Sequence, residues 1–285
     1  MRCGLAAGWF VAVLLGLAAV MADATPGWAA EDVHPRGLPG PPRLRHPRAD
    51  QSLVDAGLTL QGIGSGFFVT AEGDLVTNHH VVSGCTAFSV EAAKGQVALA
   101  SLVASEGSID LALLKTGLKA ASPATFLTAI ALDSRPVVVI GYPVLGIIRD
   151  RPLLVEGRLS GPWIGGARAF AFAVELHPGN SGGPVLDRTG AALGVVFARN
   201  EPTTIAPPSG HKVAKFGFAI AAQTVLDFLA RHAVQPLHVL GSRASRAEAS
   251  DDDILARANG YLVRVLCWRP RNAPPRTPHH PGSPR

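Results

Sequence analysis

Downstream of Gly62 the chain breaks into short apolar runs separated by Gly, Pro and Asp: GFFVT, DLVTN, TAFSV, QVALASLVA, DLALLK, VVVIG, LLVEGRL, AFAFAV, GPVLD, ALGVVFA and FGFAI. Runs this short, cut by turn residues at near-regular spacing, predict strands gathered into an all-β barrel or sandwich. The stretch Arg168 to Val174 makes the period explicit, because Phe170, Phe172 and Val174 alternate with alanines and fall on one face. One helix is predicted over 224–233, where Thr224-Val225-Leu226-Asp227 resembles a capping box with Asp in place of Glu. Val225, Leu226, Phe228 and Leu229 follow helical spacing there, so the helix should dock on the second of two barrels if the strands form a pair of them. In the C-terminal extension, 236–285, one more apolar run at 261–268 predicts an extra strand, and the last 17 or so residues read as disordered.

The region before the strands is built differently. Met1-Arg2 leads into an apolar stretch from Leu5 to Met21, and Ala22-Asp23-Ala24 is a small-x-small cleavage pattern, so residues 1–24 read as a secretion signal. A second such pattern, Gly27-Trp28-Ala29, would allow cleavage as late as residue 30. Left uncut, the apolar run is at the lower edge of what spans a bilayer and would tether the domain to a membrane. Residues 25–57 include HPRGLPGPPRLRHPRAD, which lacks periodic apolar positions and reads as a Pro/Arg-rich linker.

With 285 residues and 47% hydrophobic side chains the chain can bury a sizeable core, which excludes disorder throughout. The net charge of +5 owes much to the segment after Gly241, whose eight arginines face four acids. Only Tyr261 and Trp268 lie among them and no nucleic-acid motif is present, so a solvated basic tail is expected and no nucleic-acid partner. Removal of the signal would take Cys3 and leave Cys85 and Cys267 in an oxidising compartment, either bridged or as two free thiols. Neither has metal-ligand spacing, and no metal or cofactor is expected.

Candidate chemistry centres on Pro178-Gly179-Asn180-Ser181-Gly182-Gly183-Pro184. A nucleophilic serine needs an exposed hydroxyl and backbone N–H groups converging on the carbonyl oxygen it attacks. Glycine at 179 permits a backbone in which the N–H groups of this Gly179-Asn180-Ser181 turn line one concavity as an oxyanion hole, although Gly, Asn and Ser are also ordinary turn residues. A base is required, and Thr77-Asn78-His79-His80-Val81-Val82 offers two imidazoles at the end of a strand. The third element is Ser108-Ile109-Asp110-Leu111-Ala112, where one carboxylate within an apolar strand is costly to bury unless a partner such as a histidine N–H satisfies it.

The segments GSGFFVTAEGDLVTNHHVV, DLALLK and HPGNSGGPVLD together resemble the trypsin-like serine peptidases, in particular the HtrA/DegP-like branch, over roughly Gly62 to Leu229. The resemblance selects His80 over His79 from the T-N-x-H-V-V context and gives His80, Asp110 and Ser181 as a catalytic triad. It implies a domain over 58–235 of two six-stranded antiparallel β-barrels, about 58–120 and 133–221, with the C-terminal helix following. It also implies an exported serine endopeptidase that works through an acyl-enzyme on protein or peptide substrates, without a cofactor. Glu175, six residues before Ser181, occupies the position from which trypsin-like members place a carboxylate in the specificity pocket; Val195, Val196 and Phe197 would supply an apolar wall instead. HtrA proteins carry a PDZ domain of about 90 residues after the protease, whereas fewer than 60 follow the helix here, so no PDZ domain is expected.

Two other readings compete. Gly179-x-Ser181-x-Gly183 also fits the nucleophile elbow of α/β-hydrolases, but an elbow serine opens a helix, and Pro184 with strand-like Val185-Leu186 follows at once. A trypsin-fold binding protein without activity would keep the same residues, since fold does not guarantee chemistry.

Overall fold

The computed structural model describes residues 48–128, 134–144, 151–166, 168–197, 216–240 and 247–274; the expected signal, most of the expected linker and the end of the basic tail lie outside the described residues. In chain order the elements are α1 (Arg48–Asp55), β1 (Leu58–Phe68), β2 (Asp74–Thr77), α2 (His79–Val82), β3 (Ala87–Ala92), β4 (Gln96–Glu106) and β5 (Leu111–Thr116). There follow β6 (Phe126–Thr128), β7 (Pro136–Gly141), β8 (Leu153–Ile164), β9 (Ala169–Ala173), β10 (Pro184–Asp187), β11 (Ala192–Phe197) and β12 (Phe216–Ala221). The chain continues with α3 (Ala222–Arg231), β13 (His238–Leu240), α4 (Asp251–Ala258) and β14 (Leu262–Pro270).

These strands close two six-stranded antiparallel barrels. The first runs β1-β14-β3-β4-β5-β2 and closes through the pairing of β2 with β1. The second runs β10-β7-β8-β9-β12-β11 and closes through β10 with β11, while β6 extends it parallel to β11 and β13 lies parallel to β6 beyond it. Alternation along the strands explains how two barrels share one core. Val137 and Val139 enter the second barrel with Phe170 and Phe172, whereas Val138 and Ile140 on the opposite face join a core continuous with Phe67, Leu75 and Leu113 of the first.

Three features depart from the sequence expectations. The sixth strand of the first barrel is supplied by the C-terminal extension: β14 inserts between β1 and β3, so residues 58–120 do not close the barrel alone. The strand is buried on both faces. Val263 and Val265 enter the main core, and on the other face Leu266 and Trp268 pack with Leu53 of α1, burial that contributes about 1.5–3 kcal/mol per large apolar side chain. Residues 48–55 are therefore helix rather than linker, held by tertiary packing that a polar eight-residue segment does not advertise.

The third departure concerns α3, which opens at Ala222 rather than 224. Thr224 does not cap it; its hydroxyl donates to the Arg168 carbonyl, and Asp227 accepts from Gln223 one turn earlier. α4 carries the side-chain cap instead, with Ser250 accepting from the Asp253 N–H and three aspartates in the first turn. That helix docks on the β10–β11 hairpin through the Arg188–Asp251 ion pair and buries Ile254 and Ala258 in the main core.

Candidate active site

The site lies where the two barrels meet. Val81, next to His80, and the Ser181 carbonyl close on Gly64 of β1: a Cβ at Gly64 would stand 2.7 Å from the Val81 methyls and 3.3 Å from the Ser181 oxygen. The Ser65 N–H donates to that same carbonyl at 2.8 Å. β1 thus brings the one-turn helix α2 of the first barrel against the serine loop of the second, which no single motif could reveal.

Asp110 stands just before β5 rather than within it, in the left-handed region at φ 54°. For a non-glycine residue this conformation is uncommon and persists where surrounding contacts fix it. Here they do: the Asp110 carbonyl accepts from the His79 N–H and the Asn78 side-chain amide, and its carboxylate is turned onto His80. Oδ1 accepts the His80 backbone N–H at 2.9 Å, and Oδ2 lies 2.8 Å from His80 Nδ1. With a carboxylate as partner, Nδ1 carries the proton and Nε2 is the basic ring atom. His79 points elsewhere, with Nδ1 2.6 Å from the Ser105 hydroxyl. The imidazole of His80 keeps 32% side-chain exposure while Asp110 is almost covered.

The serine loop is pinned at several points. Gly179 adopts φ +95°, and a Cβ there would stand 2.4 Å from the Tyr142 carbonyl, so only glycine fits. Its own carbonyl accepts from the Ser65 hydroxyl at 2.7 Å, and Ser65 Oγ in turn accepts the Tyr142 N–H at 2.9 Å. Val144 N–H reaches the Pro178 carbonyl, and Gly182 N–H reaches that of Val196. Among the described residues the N–H groups of Gly179 and Ser181 have no protein acceptor, which leaves two donors for an incoming oxyanion. Asn180 is corrected as an oxyanion donor: its N–H is engaged by the His177 carbonyl at 3.1 Å, and its side chain is buried.

The expected specificity wall is also revised. Val195 and Val196 are wholly buried because strand alternation sends one into the inter-barrel core and the other into the second barrel, so neither presents a side chain to substrate. Phe197 is half-buried against Phe218 at 5.8 Å between centroids, and Glu175 is exposed. Cys85 and Cys267 are joined by a disulfide with Cα atoms 5.5 Å apart, tying the segment after α2 to β14. Among the described residues no group of three or more His, Cys, Asp or Glu could hold a metal, and no helix is long and apolar enough to cross a membrane. Sequence reasoning missed Ser65 as a structural centre of the site. Its only signal was its place between glycines in GSGFF.

Two interlocked barrels with this histidine–aspartate pair and glycine-bounded serine define the trypsin-like serine peptidase class. The trypsin-like peptidase domain profile matches residues 64–195, so the chain carries a trypsin-like peptidase domain, and it is similar to HtrA/DegP-like serine proteases. It is 33% identical over 242 residues to a probable periplasmic DegP-like serine endoprotease of Rhizobium meliloti, covering 80% of this chain and 43% of that protein. It is 31% identical over 207 residues to an uncharacterised protein of Sinorhizobium fredii, covering 72% of this chain and 32% of the relative. Among solved structures, an HtrA-type protease, AlgW, bound to a decapeptide is 30% identical over 60% of this chain and 51% of its own, with a TM-score of 0.48. The chain thus spans less than half the length of the curated relatives it matches.

Proposed function

We propose that the chain is an exported serine endopeptidase that hydrolyses peptide bonds through an acyl-enzyme, with Ser181 as nucleophile, His80 as general base and acid, and Asp110 as its orienting carboxylate. The observation that carries this reading is the double hold of Asp110 on His80, backbone N–H and Nδ1 together, which fixes the imidazole with Nε2 as its basic atom. In the proposed reaction Ser181 Oγ gives its proton to His80 Nε2 as it attacks the scissile carbonyl, and the oxyanion forms against the Gly179 and Ser181 N–H groups. The imidazolium then returns the proton to the leaving amine, and water repeats the sequence to release the acid. Protein or peptide substrates follow from the kinship with named endoproteases, and a periplasmic or secreted location from the signal-like N-terminus.

A fluorophosphonate probe tests the reading directly, since it labels only an activated serine. Wild-type protein takes one label and cleaves casein, and Ser181→Ala does neither. Absence of labelling in folded wild-type protein would make the chain a trypsin-fold binding protein instead.

A further inference from the structure

We infer that Arg264, carried by the C-terminal strand and outside the matched peptidase region, is a positioning residue for the oxyanion loop, acting through the ring of Tyr142. The inference rests on the peptidase reading above and adds to it a residue that neither the motifs nor the family match includes.

Strand register carries the argument. Arg264 on β14 pairs with Ser65 of β1 on one side and Glu91 of β3 on the other, so the three side chains share one face of the first barrel. The same face further along β14 carries Leu266 and Trp268, which are covered by α1. At Arg264 the cover is the second barrel: the guanidinium carbon lies 4.7 Å from the centroid of the Tyr142 ring. One side of the guanidinium is paired with Glu91, and the side chain keeps only 4% exposure. A cation desolvated in this way and stacked on an aromatic face makes a stronger contact than a surface pair.

Tyr142 is where this contact becomes relevant to chemistry. Its backbone N–H is held by Ser65 Oγ, the hydroxyl that also holds the Gly179 carbonyl. Its own carbonyl is the atom against which Gly179 packs so closely that no side chain fits. Ring, amide and carbonyl of one residue are therefore fixed by Arg264, Ser65 and Gly179 respectively. If the ring is released, Tyr142 can shift, and the peptide that orients the Gly179 N–H shifts with it. The burial of Tyr142 is consistent with a locked ring: desolvation pushes its hydroxyl up to about 12, with the Arg264 charge opposing and Glu91 reinforcing.

Single truncation of Arg264 would strand Glu91, so the decisive variant is Arg264→Met combined with Glu91→Gln, which removes both charges and keeps their volume. Arg264→Lys preserves the ion pair without the planar stack, and Tyr142→Leu removes the ring while keeping the backbone contacts. The expected result is that kcat on a peptide amide falls about tenfold to a hundredfold in the double variant, in Arg264→Lys and in Tyr142→Leu, with KM within about twofold. Binding of a peptide boronate, which needs the oxyanion donors, should weaken in parallel, whereas an uncleaved peptide bound to the Ser181→Ala background should not. Amide hydrogen exchange supplies an arm independent of turnover: protection at Asn180, Gly182 and Gly183 drops in the double variant and in Tyr142→Leu. An inert wild type would sink the peptidase reading alone, since exchange still judges Arg264. Unchanged exchange with unchanged kcat, or losses confined to KM or to thermal stability, would overturn the positioning role.

Discussion

The disulfide offers the largest stability effect that can be worked from the structure. Cys85 and Cys267 are separated by 182 residues, so bridging them closes nearly the whole domain into one loop of the unfolded chain. The chain-entropy relation gives about 5 kcal/mol at 25 °C for such a loop, the top of the usual range, and retained structure in the unfolded state reduces what is realised. The native side of the balance changes little on removal. β14 is hydrogen-bonded to β1 and β3 along its length and sealed by α1, and Cys267 is wholly buried, so alanine rather than serine avoids placing a hydroxyl there. We expect Cys85→Ala/Cys267→Ala to lose about 3–5 kcal/mol in urea unfolding, with a larger m-value because the unfolded chain expands. The melting temperature should fall by about 10 °C. Activity at 25 °C should remain within about twofold, because the ladder and not the bridge holds β14 in place. Reduction of the wild type should reproduce the loss. A change below about 1 kcal/mol, or a collapse of activity with stability intact, would refute the view that the bridge acts through the unfolded chain.

Two further outcomes follow from the site and its surroundings. Asp110→Asn should lower kcat about 10⁴-fold by allowing the wrong imidazole tautomer, while His79→Ala, whose ring faces Ser105, should cost little; the reverse ranking in steady-state kinetics would reassign the base. The buried hydroxyls of Tyr142 and Tyr261 are raised by desolvation, the first to about 12 from 10.0. Their contribution is therefore intact below the unfolded value of 10.0 and is lost as pH rises through the folded values. Urea unfolding between pH 9 and 12 should show stability falling, and Tyr142→Phe/Tyr261→Phe should flatten that fall. An equally steep fall in the double variant would show that other groups are responsible.

Much of the candidate chemistry is local and therefore legible in the chain. The glycines around Ser181, the Asn78-His79-His80 run and the isolated Asp110 are short patterns whose meaning depends on backbone conformation and residue type. The strands were legible for the same reason: Phe170 and Phe172 show their period over five residues, and both point into the second barrel. Where local pattern misled, long-range partners decided. Thr224 looked like a cap but bonds to Arg168, 56 residues away, and Val195 and Val196 looked like a pocket wall although both faces of their strand are occupied by core.

What the sequence determined by itself was the list of barrel strands and the candidate reacting groups, because alternation and turn chemistry are written within a few residues, whereas β6 and β13 are too short to show a period. The tertiary structure alone decided which strand closes the first barrel, that α1 covers Leu266 and Trp268, and that Arg264 reaches Tyr142 across the barrel interface. β14 carries no mark of its place, since an apolar run fits between any two open strand edges. Its position is set by the unpaired edges of β1 and β3 and by the helix waiting over its far face, partners about 200 residues earlier in the chain. Pairings at that distance depend on the free energy of the assembled barrel, which no window of local sequence contains.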